Sequence, residues 1–270
     1  MLKKNTTRED FSLLTKKAPE KRLLSTWFRG SGRSVSGRIT SRHRGGGVKK
    51  IYRLIDFGQN KLGIPAKVLA FEYDPYRTAF IALLEYNNNE RQYMLAPQGL
   101  KVGDNVICDS KTELLPGNRL QIKNIPVGIQ IYNIEIEPGR GGKMVRGAGT
   151  SAQVLAQEKE YTNLKMPSGE IRKVPVNCFA SVGTLARAEH MYIKLGKAGA
   201  SHYRNRRPHV RGSAMNPVDH PHGGGNGKTP IGMPYPKTPW GKPARGVKTR
   251  KRSWTNKYII QRRQKHGKKS

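Results

Sequence analysis

Between residues 51 and 174 the apolar positions come in short bursts, each cut off by a turn signal before a helix could develop. The bursts predict strands over residues 51–57, 66–73, 79–86, 91–95 and 105–108, then over 128–136, 152–157, 161–166 and 170–174. Within 128–136, alternation with period two sends Ile129 and Ile131 to one face and Tyr132, Ile134 and Ile136 to the other. Asp74-Pro75, Pro97-Gln98-Gly99, Pro116-Gly117-Asn118 and Pro138-Gly139 punctuate the runs. Strands this short at this spacing build a small barrel or sandwich. The stretch is roughly 150 residues, more than one small barrel needs and enough for two. The boundary falls near residues 120–126, and one short helix is expected over 183–191.

The flanks are different material. Residues 201–270 hold 9 Gly and 8 Pro with few aliphatic side chains, too little apolar surface to fold alone. Extended, such an arm reaches on the order of 200 Å at about 3.3 Å per residue. Charge sharpens the division. The chain has 51 Lys+Arg against 18 Asp+Glu, a net +33 over 270 residues. Residues 1–53 carry +12, residues 54–200 only +4 and residues 201–270 carry +17, with Asp219 the single acid of the last stretch. Two basic arms flank a nearly neutral body, and such an imbalance calls for a polyanion.

Nucleic acid is the expected polyanion. No run of roughly 18 apolar residues or basic amphipathic helix speaks for a membrane partner. Residues 1–24 lack the apolar core of a secretory signal, and Glu9, Asp10 and Glu20 fit an organellar presequence poorly. Two cysteines, Cys108 and Cys178, are too few for a disulfide framework and point to a reducing compartment.

Three basic clusters follow. In Gly37 to Gly47, Arg38, Arg42 and Arg44 offer planar forks to phosphate beside His43, and three consecutive glycines allow close backbone approach; Lys49 and Lys50 extend the run. Arg140, Lys143 and Arg146 sit in a Gly-rich loop between strands, where a plain surface hairpin is the alternative. That loop is not a P-loop, because Met144 follows Lys143. From Lys197 the chain runs into Tyr203, Arg204, Arg206, Arg207, His209 and Arg211, a mixture suited to base stacking as well as phosphate contact.

The segment Met215 to Thr229 invites sharper chemistry. It fails as a Walker A loop, since His222 stands where the first glycine belongs. His202, His209, His220 and His222 match no standard zinc spacing. Asp219 beside His220 suggests an acid–base pair, but neither a nucleophile nor a dry pocket accompanies it. A turn-rich loop whose histidines stack on or bond to RNA accounts for the same residues.

Four strings taken together, RITSRHRGGGVKKIYRLIDF, EYDPYRTAFIALLEY, RNRRPHVRGSAMNPVDHPHGGG and TPWGKPARGVKTRK, resemble the family of the second protein of the large ribosomal subunit, in its bacterial and organellar form. The resemblance runs from about Gly37 to the C-terminus. It implies a mainly β fold, with an OB-like barrel over 51–122, an SH3-like barrel over 123–200 and irregular basic extensions over 1–50 and 201–270. It implies a structural, non-enzymatic component that binds large-subunit rRNA early in assembly and helps join the subunits, with no cofactor and no metal. Its expected partners are large-subunit rRNA, other large-subunit proteins and, through a bridge, the small subunit. The expected place is the ribosome of the bacterial cytoplasm, with an organellar ribosome as the alternative. The rRNA contacts it implies are the basic residues named above together with Lys248, Arg250, Lys251 and Arg252. Asn216, Asp219, His220, His222, Gly223, Gly224 and Gly225 match the family loop nearest the peptidyl transferase centre. Before Gly37 the sequence departs from the family pattern.

Overall fold

The computed structural model describes residues 7, 9–27 and 31–263. The parts of the two extensions at 1–6, 8, 28–30 and 264–270 lie outside these residues. The chain forms two compact units, each assembled from separated stretches. The described residues up to 27, with 49–196 and 255–263, make the first; residues 31–48 and 197–254 make the second.

In the first unit, β1 (Leu24–Ser25) pairs with β2 (Tyr52–Arg53). β3 (Ala66–Glu72), β4 (Ile81–Tyr86), β5 (Arg91–Leu95) and β6 (Asn105–Val106) form an antiparallel sheet in the order β5-β4-β3-β6. The expected strand at 51–57 shrinks to two residues because the Asp56 carboxylate accepts hydrogen bonds from the Gly58 and Gln59 amides, closing a turn. A bulge at Leu69 shifts β3 against β4, so Val68 enters one core and Ala70 the other. Both faces of β4 are therefore buried: Ala82, Leu84 and Tyr86 meet Val68, Phe80 and Met94, while Ile81 and Leu83 meet Ala70 and Tyr93.

The second sheet contains β7 (Arg119–Gln121), β8 (Gln130–Tyr132), β9 (Ala152–Gln157), β10 (Tyr161–Lys165), β11 (Ile171–Pro175), β12 (Phe179–Val182) and β13 (Ile259–Gln261). Its order is β13-β11-β10-β9-β8-β12-β7. β8 stops where Asn133 turns left-handed (φ +49°), and this breaks the expected alternation. Ile134 thus rejoins Ile131 in the core with Leu120, Val154 and Leu164, while Tyr132 packs with Ala79, Leu95 and Leu185. Each fully buried aliphatic side chain there contributes about 1.5–3 kcal/mol.

Arg119 opens β7 at the edge of this sheet, yet it is fully buried and pairs with buried Glu135 at 2.9 Å. Its guanidinium also donates to the Asn133 carbonyl at 2.8 Å, and Glu135 Oε2 accepts from the Phe179 amide at 3.0 Å. The helix expected over 183–191 is instead a 3-10 turn, Ala188–Tyr192, begun by left-handed Arg187.

Candidate nucleic-acid interface

The second unit joins the two basic segments that flank the body in sequence. Arg44 and Arg206 form an antiparallel bridge, the Arg207 amide donates to the His43 carbonyl at 3.0 Å, and the Val48 amide donates to the Tyr203 carbonyl at 3.1 Å. The His43 and His209 rings lie 4.3 Å apart. Gly46 has φ +74°, and a Cβ there would stand 2.3 Å from His202 Nε2, so this crossing requires glycine. The His202 and Tyr203 side chains come from α1 (Ala198–Tyr203). The Arg42 guanidinium covers the exposed Trp240 ring at 5.3 Å.

Arg38, Arg42, Arg44, Lys197, Arg204, Arg206, Arg207, Arg211, Lys248, Arg250, Lys251 and Arg252 are all exposed on this unit. Over 29–48 and 197–254 the sequence holds 18 Lys+Arg and one acid, Asp219. The two stretches of sequence thus bring one carboxylate to 18 cations.

The loop around His220 is tightly built. The Asn216 carbonyl accepts from the Asp219 and His220 amides, and the Gly224 amide donates to the Met215 carbonyl. His220 is buried, at 7% exposure, and its Nδ1 accepts from the His222 amide at 3.0 Å. His222 Nε2 in turn accepts from the Lys237 amide at 2.9 Å. Each of these two ring nitrogens therefore accepts a hydrogen bond from a backbone N–H. Burial first, then His222 and Arg42, push the His220 imidazole below its ordinary range. A Cβ at Gly212 would meet the His220 ring at 2.6 Å, and one at Gly223 would meet the Asn216 carbonyl oxygen at 2.3 Å. Gly225 (φ +84°) lies against Thr229. The exposed Asp219 carboxylate makes no ion pair with His220 among the described residues, so the acid–base pair suggested by adjacency is not assembled here.

The first unit carries a separate cation–aromatic cluster. The Phe57 ring has the Arg146 guanidinium 4.4 Å from its centroid and that of Arg77 at 5.3 Å. Arg77 also covers Tyr52 at 5.0 Å, donates to the Tyr52 hydroxyl and pairs with Asp74. Tyr52 meets Trp27 and Tyr76 edge-on, and Lys50 lies 5.9 Å over Tyr76 while donating to the Pro75 carbonyl. Burial and the neighbouring Arg77 both lower the Arg146 pKa, and no carboxylate pairs with Arg146 among the described residues. The result is an aromatic surface edged with guanidinium groups, the residue types on which unpaired bases can stack.

Residues 20–108 match the family model described as Ribosomal Proteins L2, RNA binding N-terminal domain, and residues 115–241 match Ribosomal Proteins L2, C-terminal domain. The chain belongs to the ribosomal protein L2 family. It is accordingly a structural, RNA-binding component of the large ribosomal subunit, and its two sheets fit the OB-like and SH3-like folds of that family.

Within this L2 frame the candidate residues divide. Exposed Lys49 and half-buried Lys50 belong to the first unit, and the Arg38–Arg44 cluster belongs to the second. Arg140 spends its charge on Glu137 at 2.6 Å, and Lys143 is exposed on the same hairpin. The glycines of that hairpin serve packing: the Gly142 amide donates to the Phe57 carbonyl, and a Cβ there would meet Asn133 Oδ1 at 2.0 Å. Arg77 and Tyr52 escaped the sequence argument because they stand singly in strand and turn segments. Only the fold brings them to Arg146.

Proposed function

We propose that this L2 protein anchors rRNA through its second unit and the Phe57–Arg146 cluster, and so supports large-subunit assembly, subunit association and the region of the peptidyl transferase centre. The observation that carries this is the convergence of both basic segments on one unit where 18 cations face a single carboxylate. Each Lys or Arg set against a phosphate releases condensed counterions, which drives binding at low salt. Exposed Tyr203 and the exposed Arg42–Trp240 stack add contacts suited to unpaired bases.

In this scheme the OB-like (51–122) and SH3-like (123–200) regions hold position, while the extensions (1–50 and 201–270) supply RNA contacts at Arg38, Arg42, His43, Arg44, Lys49, Lys50, Tyr203, Arg204, Arg206, Arg207, Arg211, Lys248, Arg250, Lys251 and Arg252, joined by Lys197 from the end of the 123–200 region. Arg140, Lys143 and Arg146 add contacts from the body. The Asn216–Gly225 loop acts as a shaped wedge near the peptidyl transferase centre. The fully engaged His220 Nδ1 and His222 Nε2 favour a structural role there over general-base catalysis. Other large-subunit proteins and, through a bridge, the small subunit are its further partners, in a bacterial-type ribosome of the cytoplasm or of an organelle.

Sedimentation of the endogenous protein through a sucrose gradient after a high-salt wash tests this. One copy per large subunit is expected. Recovery of most of the protein at the top of the gradient would replace this function with that of a free nucleic-acid chaperone.

A further inference from the structure

The family match begins at Glu20, yet the described chain ahead of it is closely held. We propose that residues 7–20 are an intramolecular strap, committed to protein contacts rather than to RNA, which closes the free edge of the first sheet and ties it to the 187–194 loop.

β6 pairs with only the first two residues of β3, leaving the far end of that edge without a partner strand. Thr15 covers it: its amide donates to the Phe71 carbonyl at 3.0 Å, and the Phe71 amide donates to Thr15 Oγ1 at 3.2 Å. An open strand edge invites pairing with other chains, and this contact removes it. Leu14 packs against the core around Val68 and Leu84. Phe11 sets its ring edge-on to Tyr73 at 5.7 Å and near Phe80 at 6.3 Å.

The other end of the strap holds the loop. Glu9 pairs with Arg187, whose guanidinium lies over the Phe11, Tyr73 and Phe80 rings and donates to the Thr78 carbonyl at 2.8 Å. Arg187 is left-handed (φ +65°), a strained state for a side chain of this size that its surroundings must hold in place. Thr7 and Lys194 exchange two further hydrogen bonds, at 3.1 and 3.2 Å. At the strap's exit, Glu20 pairs with Arg91 at 2.9 Å, and its amide donates to the Tyr93 hydroxyl at 3.0 Å.

Charge separates this segment from an RNA arm. Residues 7–20 carry three Lys/Arg and three Asp/Glu, a net of zero in a chain of +33. Two of those carboxylates are spent on Arg187 and Arg91. A neutral, internally paired segment has little counterion release to offer phosphate.

The test uses the full chain and a variant lacking residues 7–19. The deletion should lower the melting temperature by at least about 5 °C. It should also speed exchange of the Phe71 amide by at least roughly tenfold. The salt dependence of rRNA-fragment binding should change by less than about 0.5 in log–log slope. Thr15→Pro, which removes both the amide donor to the Phe71 carbonyl and the Oγ1 acceptor of the Phe71 amide, gives the same readouts in milder form should the deletion variant not be soluble. Melting and Phe71 protection that match the unaltered chain would overturn the strap. A salt slope that falls by one or more would show instead an arm bound to RNA.

Discussion

Replacing Arg146 with glutamine removes one guanidinium from the pair flanking Phe57 and leaves the ring in place. Of the two, Arg77 has Asp74 as a partner, so Arg146 carries the charge that RNA phosphate would find unspent. A hydrogen bond to a charged group contributes about 1.5–3 kcal/mol. At about 1.4 kcal/mol per factor of ten, the variant should bind its rRNA fragment roughly 10- to 150-fold more weakly. Loss of one phosphate contact should also lower the slope of log affinity against log salt by about 0.7 to 0.9. Arg146→Lys keeps the charge and loses the planar fork, so it should retain the slope and lose less affinity. The cation–π contact is worth about 0.5–1 kcal/mol to folding, so the glutamine variant should melt only about 1–4 °C lower. Fluorescence anisotropy on the nuclease-protected rRNA fragment, at a series of salt concentrations, reads both quantities. A lowered melting temperature with affinity and slope unchanged would mean that Arg146 only buttresses Phe57, and the stacking surface would have to be abandoned.

Other outcomes follow from buried groups. Glu135→Gln leaves the Arg119 guanidinium buried without its counter-charge and should cost about 3–5 kcal/mol, or roughly 6–20 °C in melting temperature; a calorimetric shift under 2 °C would refute an intact buried pair. Burial raises the Glu72 carboxyl, even though the Tyr93 hydroxyl donates to it at 2.7 Å. The protonated form is favoured in the fold, so its stabilising contribution is complete below the ordinary pKa of 4.5 and fades as pH rises through the folded-state value. Glu72→Gln should therefore gain on the unaltered protein as pH goes from about 4 to about 8, and urea melts showing a constant or reversed gap would contradict this. Burial pushes the Cys108 and Cys178 thiols up to about 12, so Ellman's reagent at neutral pH should label neither until guanidinium is added.

Most strands of the body were legible because bursts of apolar residues between Pro/Gly turns carry the period of a pleated surface. β9 (152–157) and β5 (91–95) agree to the residue. What escaped was set by long-range partners. β7 opens on Arg119, an arginine that a pattern of apolar residues assigns to solvent and that Glu135 and the Asn133 carbonyl make tolerable inside. β13 lies in a stretch read as arm and is recruited by the edge of β11. The candidate interface was legible as charge. The bridging of Arg44 to Arg206, and of Arg77 to Arg146 through one phenylalanine ring, depends on residues far apart in the chain and leaves no local periodicity.

The second unit draws on two stretches of chain with residues 49–196 between them. On the translating ribosome, at about 5–20 residues per second, the 29–48 segment waits on the order of 10 s before the residues that bridge to it are made. Arg44 cannot meet Arg206, nor His43 stack on His209, until most of the polypeptide exists. A product terminated before residue 197 would therefore carry only 5 of that unit's 18 Lys+Arg and none of its geometry. Under the proposed function, a chain made beside nascent rRNA gains its RNA-gripping geometry only after synthesis has passed the residues that bridge back to Arg44 and His43.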